Sequence, residues 1–392
     1  MILKNYLLPI LVLVLIGGCS SFDFQKDGVH LASLPKKVEK NLVPRKIWSK
    51  RIGQGNNYFY SNLHPTFKGN TVYAADRFGI VKALNLSNGK DRWIIDLSEN
   101  NEEYNGNTAL LSGGITVYGN NLYIGSEHGK LYSLRTKDGS LVWTTQVIGE
   151  ILSSPVVKDN LIFVHTSNGF LQGINRNNGK VQWSFELGTY PISTRDVSTP
   201  TFMFDSLIIG DGKGRVNAIS IKNNQMIWKQ NISSINSFLL SENLKDVNVT
   251  PIIFEGVVYI ASYNGSLTAL NFNSGTILWQ KNIGIVKKLI VSKHKLYIVD
   301  GDDNLLSLNT DKGNIIWKQN HLINHQLTTP VIYNNYLVVG DIKGYLHWID
   351  TNNGKYIIQQ KLSNSGFQSK PIISHNTIII QSKNGYVYAV TV

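Results

Sequence analysis

Apolar residues along this chain gather in short runs, such as 121–125, 257–262 and 266–271, rich in Val, Ile, Leu and Tyr. Asn-Gly and Asp-Gly pairs break the runs, as at Asn178-Gly179 and Asp138-Gly139. These pairs supply the positive φ that tight hairpin turns demand, so the pattern predicts strands and hairpins, not helices. Tryptophans set a longer rhythm. Trp48, Trp93, Trp143, Trp183, Trp228, Trp279 and Trp317 are spaced by 45, 50, 40, 45, 51 and 38 residues. Periods of this size belong to propellers or helical solenoids, and the hairpin signals select the propeller.

Each unit repeats one internal order. An opening pair comes first: Ser154-Pro155, Thr199-Pro200, Thr250-Pro251, Thr329-Pro330 and Lys370-Pro371. Two short strands follow, then a turn glycine (Gly79, Gly129, Gly169, Gly214, Gly265, Gly344, Gly385), with Asn304 predicted to substitute once. After a third strand, another glycine stands four residues before the tryptophan, at Gly89, Gly139, Gly179, Gly275 and Gly313, with Asn224 in its place once. Four strands per unit make a propeller blade. Trp93 to Trp317 mark six outer strands, and Ile358, four residues after Gly354, marks a seventh. The last segment, 370–392, holds only three strands, so the strand around Trp48 completes it. The prediction is an all-β, eight-bladed propeller of four-stranded antiparallel blades, closed by pairing the N-terminal strand with the C-terminal blade. Closure removes free sheet edges. A tryptophan on each outer strand would wedge between blades, over a backbone kept flat by small residues.

The first twenty residues change the picture from a ring to a tethered ring. Lys4, an apolar stretch from Tyr6 to Ile16, and Gly17-Gly18 before Cys19 resemble a bacterial lipoprotein signal. The apolar stretch falls short of the ~20 residues of a transmembrane helix. Cys19, the only cysteine of the chain, is the expected lipidation site, and no intrachain disulfide can form. Ser20 follows where aspartate would signal inner-membrane retention. The expected organisation is a signal peptide over 1–18, a lipidated flexible tether over 19–44, and the propeller over 45–392. The expected location is the outer membrane, facing the periplasm.

A formal net charge of +12 invites a nucleic-acid reading. The lysines are scattered through turns, however, with no run of like charge and no helix to carry a stripe, so no nucleic-acid partner is expected. Candidate chemistry is sparse. His321 and His325 have metal-pair spacing, but that geometry needs a helix, and a solvated inter-blade loop is expected. Gly210-Asp211-Gly212-Lys213-Gly214 looks phosphate-like yet falls on a hairpin turn with no helix behind it. The run Asp300 to Asn304 resembles part of a calcium loop and reads as a solvated acidic turn. No catalytic set, metal site or cofactor site is expected, and the chain is read as a non-enzyme.

The pattern Ala-x-Asn/Asp-x-x-x-Gly-x-x-x-Trp, as in Ala83 to Trp93 and Ala269 to Trp279, resembles the tryptophan-docking motif of quinoprotein propellers. That makes a pyrroloquinoline-quinone-dependent dehydrogenase the enzymatic alternative, but its adjacent cysteine pair is impossible with one cysteine. With the lipobox, the eight repeats resemble the BamB family, lipoprotein subunits of the β-barrel assembly machinery. The resemblance is most specific at 191–200 and 244–251. It implies a scaffold that binds the periplasmic domains of BamA, meets other assembly-machinery subunits, and supports folding and insertion of outer-membrane proteins, whose unfolded chains it could also contact. It also implies the binding residues. Arg195 matches the family arginine, and Ile192 fits the first of two leucine positions. Thr194 stands where the second would be. Asp246 matches an acidic residue of the second loop, with Asn248 where the family usually has aspartate. A lipoprotein scaffold for another envelope partner is the remaining alternative.

Overall fold

The hairpin turns and the apolar runs between them fold into eight sheets of four antiparallel strands each, an eight-bladed β-propeller. The computed structural model describes residues 31–34, 42–56, 59, 61–98, 108–189, 196–233, 245–263, 265–284 and 286–392. Among the described residues there is no helix.

Blade 1 shows how burial follows from position. Its strands, Thr66–Lys68, Thr71–Ala75, Ile80–Asn85 and Asp91–Asp96, pair in chain order. Thr71–Ala75 is buried at all five positions, because both faces are covered by neighbouring blades. This double coverage is why the second strands read as continuous apolar runs. The outer strand Asp91–Asp96 instead alternates between exposed and half-buried residues, having one packed face. Blades 2 to 7 repeat the plan over 111–146, 156–186, 201–231, 252–282, 286–319 and 331–361. Blade 8 takes Ile372–Ser374, Thr377–Gln381 and Tyr386–Thr391 from the C-terminus and Arg45–Arg51 from the N-terminal side. Trp48 pairs with Ala389 in that closing ladder, as the repeat count predicts.

Each tryptophan docks on the following blade. An added Cβ on Gly89 would stand 2.7 Å from the Trp48 ring, on Gly139 2.7 Å from Trp93, and on Gly275 2.5 Å from Trp228. Gly179, Gly313 and Gly354 meet Trp143, Trp279 and Trp317 in the same way. Each of these indoles donates its N–H to a carbonyl of that next blade, from Trp48 to Leu86 (2.8 Å) round to Trp317 to Thr351 (3.1 Å). In blades 1, 2, 3, 5 and 6 a second-strand aromatic lies tilted against the indole of the same blade, as in Tyr73–Trp93 at 5.9 Å and Tyr259–Trp279 at 6.0 Å. Burying about 200 Å² of indole stabilises a blade junction by up to ~5 kcal/mol before entropic costs.

Two junctions depart from the rule, each for a visible reason. Trp183 faces the unit whose docking glycine is Asn224, which takes the left-handed conformation (φ 56°). Its indole nitrogen is buried without a hydrogen-bond partner. In blade 7 the large and small partners change places. Small residues oppose the outer-strand tryptophan in other blades, as Ala83 opposes Trp93, whereas here Trp348 on the third strand opposes Ile358. Trp348 is fully buried, so the indole fills the same layer from the opposite strand. One turn assignment from sequence needs correction. The residue replacing the turn glycine in blade 6 is Asp303 (φ 67°), one position before Asn304; Asn304 holds the first strand-side position, where its N–H reaches the Asp300 carboxylate (2.8 Å).

Candidate functional site

The hairpin between the second and third strands opens in four blades with aspartate: Asp76, Asp211, Asp300 and Asp341, all buried. In each, one carboxylate oxygen accepts the N–H four residues on, at Ile80, Arg215, Asn304 and Tyr345, closing the turn. The other oxygen is left for a lateral donor, and the blades differ in what they supply. Asp211 takes Arg215 Nε (2.8 Å) and Asn217 Nδ2 (3.0 Å). The backbone N–H of Lys213 also turns onto Asp211 (2.9 Å), so amides that a phosphate would need already face an internal anion. The reading of 210–214 as an ordinary hairpin agrees with this geometry.

At Asp341 the lateral donors are two histidines. His325 Nδ1 lies 2.9 Å and His347 Nε2 3.0 Å from the same oxygen, Oδ2. The far nitrogens are engaged as well: His325 Nε2 reaches the Ala32 carbonyl (3.0 Å) and His347 Nδ1 the Tyr356 hydroxyl (2.8 Å). Burial works against the charged forms. For Asp341 it is outweighed by the two histidine bonds, which hold the carboxyl well below its usual range. For His325 the bonds to Asp341 and to the Ala32 carbonyl outweigh burial and raise the imidazole. Burial dominates at His347 and lowers it. His325 faces an acceptor at each nitrogen, which calls for N–H donors on both, whereas His347 donates from Nε2 to Asp341 and can accept at Nδ1 from the Tyr356 hydroxyl. These three groups lie close enough to hold a cation, but a resident metal fits poorly. All four ring nitrogens are already satisfied, and sister aspartates hold Arg215, Asn217 or Asn304 in the same place.

Two expectations for this region are overturned. His325 is not in a solvated loop: it is buried at 2% exposure, while His321 is exposed. The 300–304 turn is not a solvated acidic one either. Asp300, Asp303 and Asn304 are buried, and Asp303 accepts bonds from Gln326 N (2.8 Å), Leu327 N (3.1 Å) and Lys287 Nζ (3.1 Å). Sequence reading also missed Asp341, His347 and Tyr356. The signal was present, since His347 stands six residues after its aspartate, as Asn217 does after Asp211.

In six of the eight blades, among the described residues, the connection from one outer strand to the next blade uses one register. The N–H of the residue after the hairpin head donates back to a connection carbonyl: Arg77 to Gly55, Glu127 to Leu110, Ser167 to Glu150, Tyr263 to Asp246 (2.8 Å), Ile342 to His325 and Lys383 to Gly366. Asp246 and His325 thus occupy equivalent places. Asp246 is buried at 3% exposure, and its neighbour Val247 donates to the Asp211 carbonyl (2.9 Å). Asp246 therefore pins its loop between blades 4 and 5, and Asn248 follows, lining a cavity bordered by residues of several blades. The other residues singled out from sequence, Cys19, Ile192, Thr194 and Arg195, lie outside the described residues.

Tryptophan-docked four-stranded blades, eight to the ring, define the class: a propeller of the quinoprotein-like type. The solved crystal structure of BamB from Moraxella catarrhalis superposes with a TM-score of 0.78 at 21% identity, over 89% of this chain and 100% of that one. A europium-containing methanol dehydrogenase superposes with a TM-score of 0.72 at 12% identity, over 89% and 93% of the two chains, a likeness of fold alone. The sequence is more discriminating. It is 42% identical over 99% of both chains to the outer membrane protein assembly factor BamB of Yersinia pestis, and 44% identical at the same coverage to that of Escherichia coli K12. The family model described as outer membrane protein assembly factor BamB matches residues 105–319 and 305–392. This chain belongs to the BamB family of outer membrane protein assembly factors.

Proposed function

We propose that this protein is a non-catalytic scaffold lipoprotein of the β-barrel assembly machinery, anchored through lipid on Cys19 to the outer membrane and facing the periplasm. Its partner is the periplasmic part of BamA, and its task is to support folding and insertion of outer-membrane proteins. The observation that carries this reading is full-length relatedness at 42–45% identity to proteins named as outer-membrane assembly factors. The working surface is the pair of connections around 191–196 and 245–250, which precede blades 4 and 5 in the chain. Arg195 and Ile192 supply contacts, and arginine is a favoured interface anchor. Thr194 adds a smaller, polar contact. Asp246 acts by holding its loop, a role its burial supports, so that Asn248 and its neighbours are presented on a rigid base.

The test is affinity capture of the intact lipoprotein from detergent-solubilised membranes, followed by identification of what co-purifies. Wild type is expected to bring down the barrel subunit, and Arg195→Ala to bring down markedly less. Asp246→Ala is expected to weaken capture and also to lower stability, whereas Arg195→Ala leaves stability unchanged. Undiminished capture by both variants would remove this surface from the assignment.

A further inference from the structure

Where the inner strands converge, the propeller holds a cavity of about 290 Å³ lined from seven of its eight blades. We propose that this cavity binds a small multivalent oxyanion between Lys288 and Lys370. The argument begins with the opening pairs of the repeat. The residue before the inner-strand proline reaches this cavity from six blades: His64, Ser154, Thr199, Thr250, Thr329 and Lys370. Four of the six carry a hydroxyl, a neutral group that can serve water or an anion. Blade 8 places an ammonium there instead, and blade 6 adds Lys288 from its inner strand.

These charges lack adequate counterions. Lys370 makes no hydrogen bond or ion pair among the described residues. Lys288 has Asp196 at 3.8 Å, a long contact, and that carboxylate is shared with Asn62 Nδ2 (3.0 Å). Lys287, next along the strand, is already taken by Asp303 at 3.1 Å. The Lys370 side chain is exposed rather than buried, and partial desolvation, then the neighbouring Lys288, moves its ammonium below its ordinary range. His64 is lowered chiefly by burial and further by both lysines. The result is two ammonium groups facing one polar cavity against the carboxylate of Asp196, an excess of positive charge in a protein whose overall +12 charge draws anions towards it. An oxyanion with two or more charges removes the repulsion and accepts from both ammonium groups, with the Thr250 and Thr329 hydroxyls as further donors. A phosphate or a small polycarboxylate fits the space with room for water.

Calorimetric titration of the full mature chain with inorganic phosphate and, separately, with citrate tests the site, at constant ionic strength in potassium chloride. A saturable one-per-chain binding heat is expected from at least one probe, and the preferred probe separates a phosphate source from a carboxylate source. Lys370→Met and Lys288→Met should each lower the affinity by about tenfold or more, while Lys312→Met, at an exposed turn, leaves it unchanged. In the absence of either probe, Lys370→Met should melt no lower than wild type, because Lys370 is exposed and has no hydrogen bond or ion pair to lose among the described residues; lost binding then cannot reflect misfolding. The proposal is overturned if neither probe gives saturable heat, or if binding survives both lysine substitutions.

Discussion

Replacing Gly275 by alanine tests whether the blade junctions are held by close approach of an indole to backbone. Gly275 has a φ of 71°, and an added Cβ would meet Trp228 Cδ2 at 2.5 Å, Cε3 at 2.6 Å and Cγ at 3.0 Å. A left-handed alanine costs about 1–2 kcal/mol by itself. The ring must also retreat, straining its Nε1–H bond to the Phe272 carbonyl (2.9 Å), and overpacking of this kind costs about 1–3 kcal/mol more. Gly256 provides the control. Its φ is 74°, but nothing lies within 4 Å of the would-be Cβ, so Gly256→Ala bears only the backbone term. Gly275→Ala is thus expected to lose about 2–5 kcal/mol and Gly256→Ala about 1–2 kcal/mol. Urea unfolding followed by far-ultraviolet circular dichroism measures both losses, and tryptophan emission reports the displaced indole. Equal losses in the two variants, with unchanged emission, would refute the docking argument.

Arg77 and Glu127 join blades 1 and 2 through a bidentate pair (2.8 and 3.0 Å) whose side chains are 8% and 6% exposed. Arg77→Ala, which strips a buried carboxylate of its guanidinium, should cost about 3–5 kcal/mol in urea unfolding. The relay at Asp341 predicts a pH signature. His325 is raised in the folded protein, so its stabilisation is complete below the ordinary imidazole range and fades as pH rises through the folded value. The penalty of His325→Gln should therefore be larger at about pH 6 than at about pH 9, and a pH-independent penalty would contradict a charged His325. Deleting 45–51 removes the closing strand from blade 8 and leaves the edge of Tyr386–Thr391 unpaired. Light scattering should then detect self-association that the closed ring does not show.

Much of the ring was legible because each blade solves the same packing problem with the same residues. A turn needing positive φ takes glycine, a strand covered on both faces takes Val, Ile and Leu, and a wedge between blades takes tryptophan. Where a unit solved it differently, sequence reading faltered. Asparagine suits a turn of positive φ, which points the sequence pattern to Asn304, yet the backbone places Asp303 there and gives Asn304 to the Asp300 carboxylate. His325 looked like loop surface because its connection lacks an apolar pattern. Its burial comes from Asp341 beneath it and the Ala32 carbonyl above, groups 16 and 293 residues away in the chain.

The sequence by itself determined the blade count, the strand order within each blade and the closure by Trp48, since these rest on local propensity and on a period of hydrophobic and turn residues. It also determined family membership. Only the tertiary structure decided which polar residues meet. The His325–Asp341–His347 relay, the shared register that buries Asp246, and the convergence of Lys288 with Lys370 are all products of curling eight sheets into a ring. Closing the ring brings inner-strand residues from distant parts of the chain to one cavity. That convergence of charge from separate blades, which no single repeat can express alone, turns an ordinary lysine before a proline into a candidate binding group.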